Sequence, residues 1–491
     1  MNVAEIIAGH PDDAVAVVAG DTELTYAELR TRVAATAAGL IDRGVQPGDR
    51  VALLAETEPS FVVGLLGAYA AGAIVVPLNP ASPAPEAVRQ LGAVEPVAML
   101  VGEGFAAHAR TIAADVDSIE TVGAPAGGTA GDAIAIDGAP FEPVERDPNS
   151  EASLLFTSGT SGDPRAASLS HGNMIASQRQ VREAPGSNVN EESVAVLALP
   201  LYHIYGLNLV LNSMLAVGAK IVLLSQFDPA SFIATVAEHK ATIVPGVPPL
   251  WATVAKHADA TPEAFESVLS ATTGAAALPM ATFHTVKERL GIELLEGYGL
   301  TETGGIVSSS AGMPVRPGSV GKPLNGVQMR LVEDGVDVPV GDRGEIWVRG
   351  ENVTGGYWQD QDATGRSITP DGWFRTGDIG VVDDDGYLYL VDRSKDMIIV
   401  SGFNVFPAEV EEVLMLHPDV TGSVVIGEPD QRTGERVRAH VRLTEGSTVS
   451  VDDLHEHCLD HLARYKAPSH IEIDDNLPIS LTGKRVRRLL R

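Results

Sequence analysis

Hydrophobic positions fall in short continuous blocks over the first part of the chain. Residues 49–56 (DRVALLAE) read as a buried strand, 58–72 (EPSFVVGLLGAYAAG) as an apolar helix and 73–80 (AIVVPLNP) as a second strand. Strand, helix and strand at this spacing predict a βαβ unit on a parallel sheet. The glycine- and alanine-rich stretch 123–140 lacks core formers and is expected as a surface loop. A second α/β unit follows, with a strand at 193–201, a helix around 206–217 and a strand at 219–224. After about residue 310 the pattern changes. The stretches 326–335, 344–350 and 383–392 are short alternating strands separated by Asp-Gly and glycine turns, which predicts a small β-rich subdomain. The charge-dense DRSKD (392–396) interrupts this pattern. Beyond it lie a helix at 407–418, strands at 420–430 and 436–443, and a helix at 452–466, a module of plausible domain size. No internal repeat is visible.

Composition narrows what such a chain does. At 491 residues it is long for one domain, and its 44% hydrophobic and 20% charged content are ordinary for a globular protein with large cores. The formal charge of −30 is not ordinary. It argues against nucleic-acid partners, which call for a basic face, and against docking on anionic membranes. It also means that an anionic ligand must be met by basic residues that locally outweigh a repulsive background. Cys458 is the only cysteine, so no intramolecular disulfide or cysteine metal cluster forms, as expected of a reducing cytoplasm. The first residues, MNVAEIIAGHPDD, lack the basic start and apolar run of a secretion signal. The most apolar stretch, FVVGLLGAYAAGAIVVPL, is broken by glycines and ends at a proline, so no membrane insertion is expected.

Four constellations carry candidate chemistry. In FTSGTSGDPR (156–165) glycines alternate with hydroxyl residues, so that successive N–H groups can line one anion-binding concavity. EGYGLTETGG (296–305) sets an aromatic ring, hydroxyls and Glu302 together, and Glu302 is a hard oxygen ligand suited to Mg²⁺. GWFRTGDIG (372–380) places Asp378 between glycines, where a carboxylate can accept two hydroxyl hydrogen bonds. SLTGKRVRR (480–488) presents Lys484 after a glycine turn. Singly, each pattern is more often a solvated turn or tail. Their joint occurrence in this order is not.

With LPLYHIYG (199–206), TTGAAALP (272–279), WFRTGD (373–378), DRSKDMIIVSGFNVFPAEVE (392–411) and LPISLTGK (477–484), these stretches make the whole chain resemble the adenylate-forming superfamily. That superfamily contains acyl-CoA synthetases, aryl-CoA ligases, adenylation domains and beetle luciferases. Its phosphate loop has the form [YF]-T-S-G-T-[TS]-G-x-P-K-G, which 156–166 matches except at Arg165 and Ala166. The resemblance implies an α/β fold: a large N-terminal domain (1–391) of two α/β subdomains and a small β-rich one, a hinge at 392–396, and a small mobile α+β domain at 397–491. It implies an AMP-forming acid–thiol ligase using ATP, Mg²⁺ and coenzyme A. A carboxylate attacks the α-phosphate, pyrophosphate leaves, and a thiol then displaces AMP.

The same resemblance implies roles for residues. Thr157, Ser158, Gly159, Thr160, Ser161 and Gly162 embrace the β- and γ-phosphates, with Arg165 nearby; Glu302 holds Mg²⁺ and Thr301 bonds the α-phosphate. Glu296, Gly297 and Tyr298 border the adenine, with Gly274 and Ala275 on another side, while Asp378 and Arg393 grip the ribose. Lys484 bridges the α-phosphate and the attacking carboxylate. Lys395 is the pivot, and Ser401 and Gly402 line the pantetheine channel. His203 gates an apolar pocket lined by Tyr205, Leu209, Val247, Gly274 and Ala275. Amino-acid-activating relatives carry an aspartate in the region of 199–206 that is absent here, so an acid without an α-amino group is expected. A fatty acid is expected ahead of an aryl acid. Loading of an acyl-carrier protein, and a degenerate sensor signalled by Arg165 and Ala166, are the alternatives.

Overall fold

The apolar blocks at 49–56 and 73–80 form neighbouring parallel strands, Arg50–Leu54 and Ile74–Leu78, in register from Arg50 opposite Ile74 to Leu54 opposite Leu78. The helix Pro59–Ala70 crosses between them and is buried from Phe61 to Ala70, as an all-apolar helix must be. This is the predicted βαβ unit. The structure, a computed structural model, describes residues 1–157, 165–393, 396–400, 403–430, 433–462, 464–478 and 487–490, with the backbone alone at 392, 393, 403, 404, 434 and 488.

Two large sheets carry the first three hundred residues. The six-stranded sheet runs Thr121–Gly123, Ala98–Val101, Arg50–Leu54, Ile74–Leu78, Glu151–Thr157, Arg165–Ser170; all neighbours are parallel except the last pair. The nine-stranded sheet has the parallel strands Leu294–Tyr298, Ser270–Thr273, Ile243–Gly246, Val194–Leu197 and Lys220–Leu223 at its centre. Strand Val15–Ala19 joins its far side, pairing with Lys220–Leu223. The chain therefore starts in the second sheet before building the first, a crossover that local periodicity does not encode.

Two expectations change. Segment 123–140 is not simply surface loop, because Ala124, Ala126, Ala130 and Ile134 are buried. It lies so close to the helix Tyr26–Asp42 that a Cβ on Gly39 would sit 2.5 Å from the Ala135 amide. The helix expected around 206–217 begins as a π-helix, Tyr205–Asn212, a winding common at functional sites.

The β-rich stretch is a five-stranded sheet ordered Val336–Asp337, Gln328–Glu333, Arg343–Arg349, Phe374–Val382, Leu388–Arg393, antiparallel throughout. The residues from 398 onward have a core of their own, which includes Ile398, Val405, Val410, Leu414, Val425, Ala439, Leu454 and Cys458. Its sheet is covered by helices Pro407–Met415 and Val451–His461. Burial raises the Cys458 thiol to about 11, so it stays protonated. Among the described residues no helix is long and apolar enough to cross a membrane.

Candidate active site

The hydroxyl-rich loop springs from a β-hairpin. Thr157 closes the strand Glu151–Thr157 and stands opposite Arg165, the first residue of the returning strand. Ser158, Gly159, Thr160, Ser161 and Gly162 lie outside the described residues. The returning strand is held on its other edge too. Ala167 pairs with Tyr357, the Trp358 amide donates to the Ala166 carbonyl at 2.9 Å, and the Ser168 amide donates to the Gly356 carbonyl at 3.0 Å. Ser170 ends the strand and caps the helix His171–Glu183 through a reciprocal pair of hydrogen bonds with Asn173, which turns the chain sharply from strand to helix. Arg165 Nε lies 3.5 Å from Asp360 Oδ2.

Glu302 sits in a short 3-10 turn, Thr301–Thr303, and is buried. Tyr357 donates from its hydroxyl to Glu302 Oε1 at 2.8 Å. The turn is fixed from below by Asn352, fully buried, whose amide donates to the Thr303 and Ile306 carbonyls at 2.8 Å each. Among the described residues no ion pair reaches Glu302, and no group of three or more His, Cys, Asp or Glu is placed to hold a metal. A buried carboxylate whose hydrogen-bond partner among the described residues is a neutral hydroxyl fits Mg²⁺, which takes one or two protein carboxylates and completes its shell with phosphate oxygens and water.

The nucleotide residues come together at the meeting of the central sheet and the β-rich sheet. Tyr298 donates to Asp378 Oδ2 at 2.7 Å, and both are buried. Arg393 pairs opposite Asp378 through its backbone; its side chain lies outside the described residues. Glu296 and Gly297 precede Tyr298 on the same strand. Glu296 is 6% exposed and accepts from the Gly318 amide at 3.3 Å, and burial raises its carboxyl to about 7. Thr273 is in register with Glu296, which brings Gly274 and Ala275 beside that strand. Ala275 has φ of +67°, a left-handed conformation that alanine adopts only under constraint.

The acyl-pocket residues also converge. Tyr205 OH shares a 2.8 Å hydrogen bond with Thr272 Oγ1, and burial raises its phenol to about 12. The ring edge faces Gly274, where a Cβ would lie 3.8 Å from Tyr205 Cε1. Trp251, fully buried, donates to the Thr272 carbonyl at 3.0 Å. Leu209 is buried, and a Cβ on Gly305 would meet it at 2.9 Å; Val247 is buried at the start of the next helix. His203 precedes the π-helix and accepts the Tyr205 amide on Nδ1 at 3.3 Å. Lys395, Ser401, Gly402 and Lys484 lie outside the described residues. Sequence reasoning missed Tyr357, Asn352 and Trp251. GGYW (355–358) was in plain view, but nothing local ties its tyrosine to a glutamate 55 residues away.

Two family models cover this arrangement: AMP-binding enzyme over residues 3–358 and AMP-binding enzyme C-terminal domain over 409–484. A feruloyl-CoA synthase from an Amycolatopsis species is 38% identical over 487 residues, 97% of this chain and 95% of that protein. 4-Coumarate–CoA ligase 2 of Solanum tuberosum is 33% identical over 486 residues, 96% and 89% of the two chains. Among solved structures, ATP-bound MatB from Rhodopseudomonas palustris aligns with a TM-score of 0.89 at 31% identity, covering 100% of this chain and 98% of that one. The anthranilate CoA ligase AuaEII in complex with anthranoyl-AMP aligns at 0.90 and 28%, covering 100% and 96%. The chain belongs to the AMP-binding enzyme family and is an ATP-dependent acid–CoA ligase that uses ATP, Mg²⁺ and CoA.

Proposed function

We propose that the enzyme activates a flat aryl-substituted acid of cinnamate or benzoate type. The observation that carries this reading is the pocket wall. A tyrosine ring held by Thr272 turns its edge to a glycine rather than to a side chain, and an aromatic edge is suited to an edge-to-face contact with a planar ring. Relatives named for feruloyl, coumarate and anthranilate substrates support it. The sequence-based preference for a fatty acid gives way to this, because an aliphatic chain gains nothing specific from an aromatic edge.

The acid's carboxylate oxygen attacks the α-phosphorus, the bond to the pyrophosphate oxygen breaks, and acyl-AMP forms. The CoA sulfur then attacks the acyl carbon and AMP leaves. Bound Mg²⁺ supplies charge neutralisation at the phosphates. Glu302 would hold it, the loop base at Thr157 and Arg165 would present the phosphate loop, and Tyr298 and Asp378 would seat the nucleoside. Lys484 would bridge carboxylate and α-phosphate. The domain from 397 to 491 would swing about Lys395 between the two steps, bringing Ser401 and Gly402 to the pantetheine arm. One site cannot otherwise be presented with two different faces of one domain.

The test is AMP and pyrophosphate release over ferulate, 4-coumarate, benzoate and octanoate, with and without CoA. CoA-dependent thioester formation with kcat/KM for an aryl acid at least tenfold above octanoate is expected. Preference for octanoate would overturn the substrate reading.

A further inference from the structure

We infer that Tyr357 is a positioning residue for Mg²⁺: its hydroxyl orients the Glu302 carboxylate, and the segment that carries it couples that carboxylate to the base of the phosphate loop. This rests on the reading of Glu302 as the Mg²⁺ ligand.

Residues 354–360 grip both partners. At one end the Thr354 amide donates to the Glu302 carbonyl at 2.7 Å, and three residues later Tyr357 OH reaches the same residue's carboxylate at 2.8 Å. Glu302 is thus held by main chain and side chain from one short stretch. The stretch runs along the open edge of Arg165–Ser170, joined through Gly356, Tyr357 and Trp358 to Ser168, Ala167 and Ala166, with Thr354 Oγ1 also donating to the Ser168 carbonyl. At the far end Asp360 caps the helix Gln361–Ser367 through the Ala363 amide at 2.8 Å and pairs with Arg165, the first described residue after the loop.

The turn aiming Tyr357 has its own requirement. Gly356 has φ of +143°, and a Cβ there would fall 2.5 Å from Thr364 Oγ1; that hydroxyl accepts the Tyr357 amide at 3.0 Å. The ring is therefore delivered by fixed backbone. A carboxylate that ligates a metal can rotate about its last bond, and an outer hydrogen bond removes that freedom, typically at about 10- to 100-fold in metal affinity. Because the same segment pairs with the edge of Arg165–Ser170, one piece of chain holds both the Glu302 carboxylate and the strand at the loop's base. Arg165 serves this arrangement from the exit of the loop, where its side chain meets Asp360.

The experiment is titration calorimetry of ATP at a series of Mg²⁺ concentrations, without acid, on wild type and Tyr357→Phe. The half-saturating Mg²⁺ should rise about tenfold, while the KM for the acid stays within error and the variant still unfolds cooperatively. An unmoved Mg²⁺ dependence in a folded variant overturns the inference. Glu302→Asp, which draws the carboxylate back by one methylene, provides a cycle: adding Tyr357→Phe to it should cost little more, whereas fully additive losses also overturn the inference. Wild-type ATP binding that ignores Mg²⁺ would remove the parent reading and this one with it, an outcome distinct from a normal wild type with an unmoved variant.

Discussion

At the scale of single residues, Glu296 is the sharpest case of environment overriding identity. Its neighbours Gly297 and Tyr298 are read easily from the motif EGYG, but the motif says nothing of where the carboxylate ends up. It is buried, with the Gly318 amide as hydrogen-bond donor, and its carboxyl titrates near 7 rather than 4.5. The folded state therefore holds a proton that the unfolded chain has lost. Between pH 4.5 and about 7 the unfolded state binds fewer protons, so stability falls as pH rises through that window and stays reduced above it. Glu296→Gln keeps the acceptor for Gly318 without the charge. Relative to wild type it should be more stable by on the order of 2–3 kcal/mol at pH 8, a difference shrinking towards pH 5. Chemical denaturation at the two pH values measures this; a pH-independent difference contradicts it. Arg165 makes the complementary point. Its departure from the family lysine is plain in the sequence, whereas its meeting with Asp360 depends on how a remote segment folds back.

At the scale of elements, legibility follows periodicity. The helix Pro59–Ala70 and its flanking strands could be read because burial on all sides leaves an unbroken apolar run. The winding of Tyr205–Asn212 could not be read, because Gly206 to Asn212 are buried all round and no one-sided apolar period marks the turn. The trace it left is polar. Asn208, Asn212 and Ser213 interrupt the run and are all buried. Asn208 accepts from Gln178 Nε2 at 2.9 Å and donates to Ser177 Oγ at 2.7 Å, which pins the element bearing Tyr205 and Leu209 to the helix His171–Glu183. Asn208→Leu leaves Gln178 Nε2 and Asn212 Nδ2 without the buried acceptor they share, at about 1–3 kcal/mol each at most. We expect a loss of about 2–4 kcal/mol in unfolding free energy, with the KM for the acid raised more than that for ATP, since the nucleotide residues Tyr298 and Asp378 rest on other elements. Steady-state kinetics on both substrates, beside a denaturation curve, separates the two effects. Segment 123–140 escaped for a different reason: its burial is permitted by Gly39 on another helix, and no local pattern announces that partner.

At the scale of the whole molecule, the small separate core around Val410, Val425, Leu454 and Cys458 was legible as an α/β module after the charged stretch 392–396. What fastens its ends was not. Arg487, only three residues beyond Lys484, sits between two carboxylates with 11% of its side chain exposed. Its Nη1 lies 3.1 Å from Asp396 Oδ2, and its Nη2 lies 3.0 and 2.9 Å from the two oxygens of Glu411, a residue 1% exposed. Asp396 directly follows Lys395 in the chain. One guanidinium thus ties the tail to the last hinge residue and to the helix Pro407–Met415, in a chain whose charge of −30 leaves buried carboxylates few cations to spare. Replacing it with methionine fills similar space but leaves Glu411 buried without its fork, which costs about 3–5 kcal/mol when one partner of a buried pair is removed. Because Glu411 belongs to the module and Asp396 directly precedes it, the module's unfolding should shift while the unfolding of the large sheets does not. If Lys484 acts in adenylation, freeing the tail should also slow pyrophosphate release more than thioester formation from supplied acyl-AMP. Equal slowing of both steps in Arg487→Met, with the module still folded, would separate the tail's anchorage from the first half-reaction and leave Arg487 a purely structural ion.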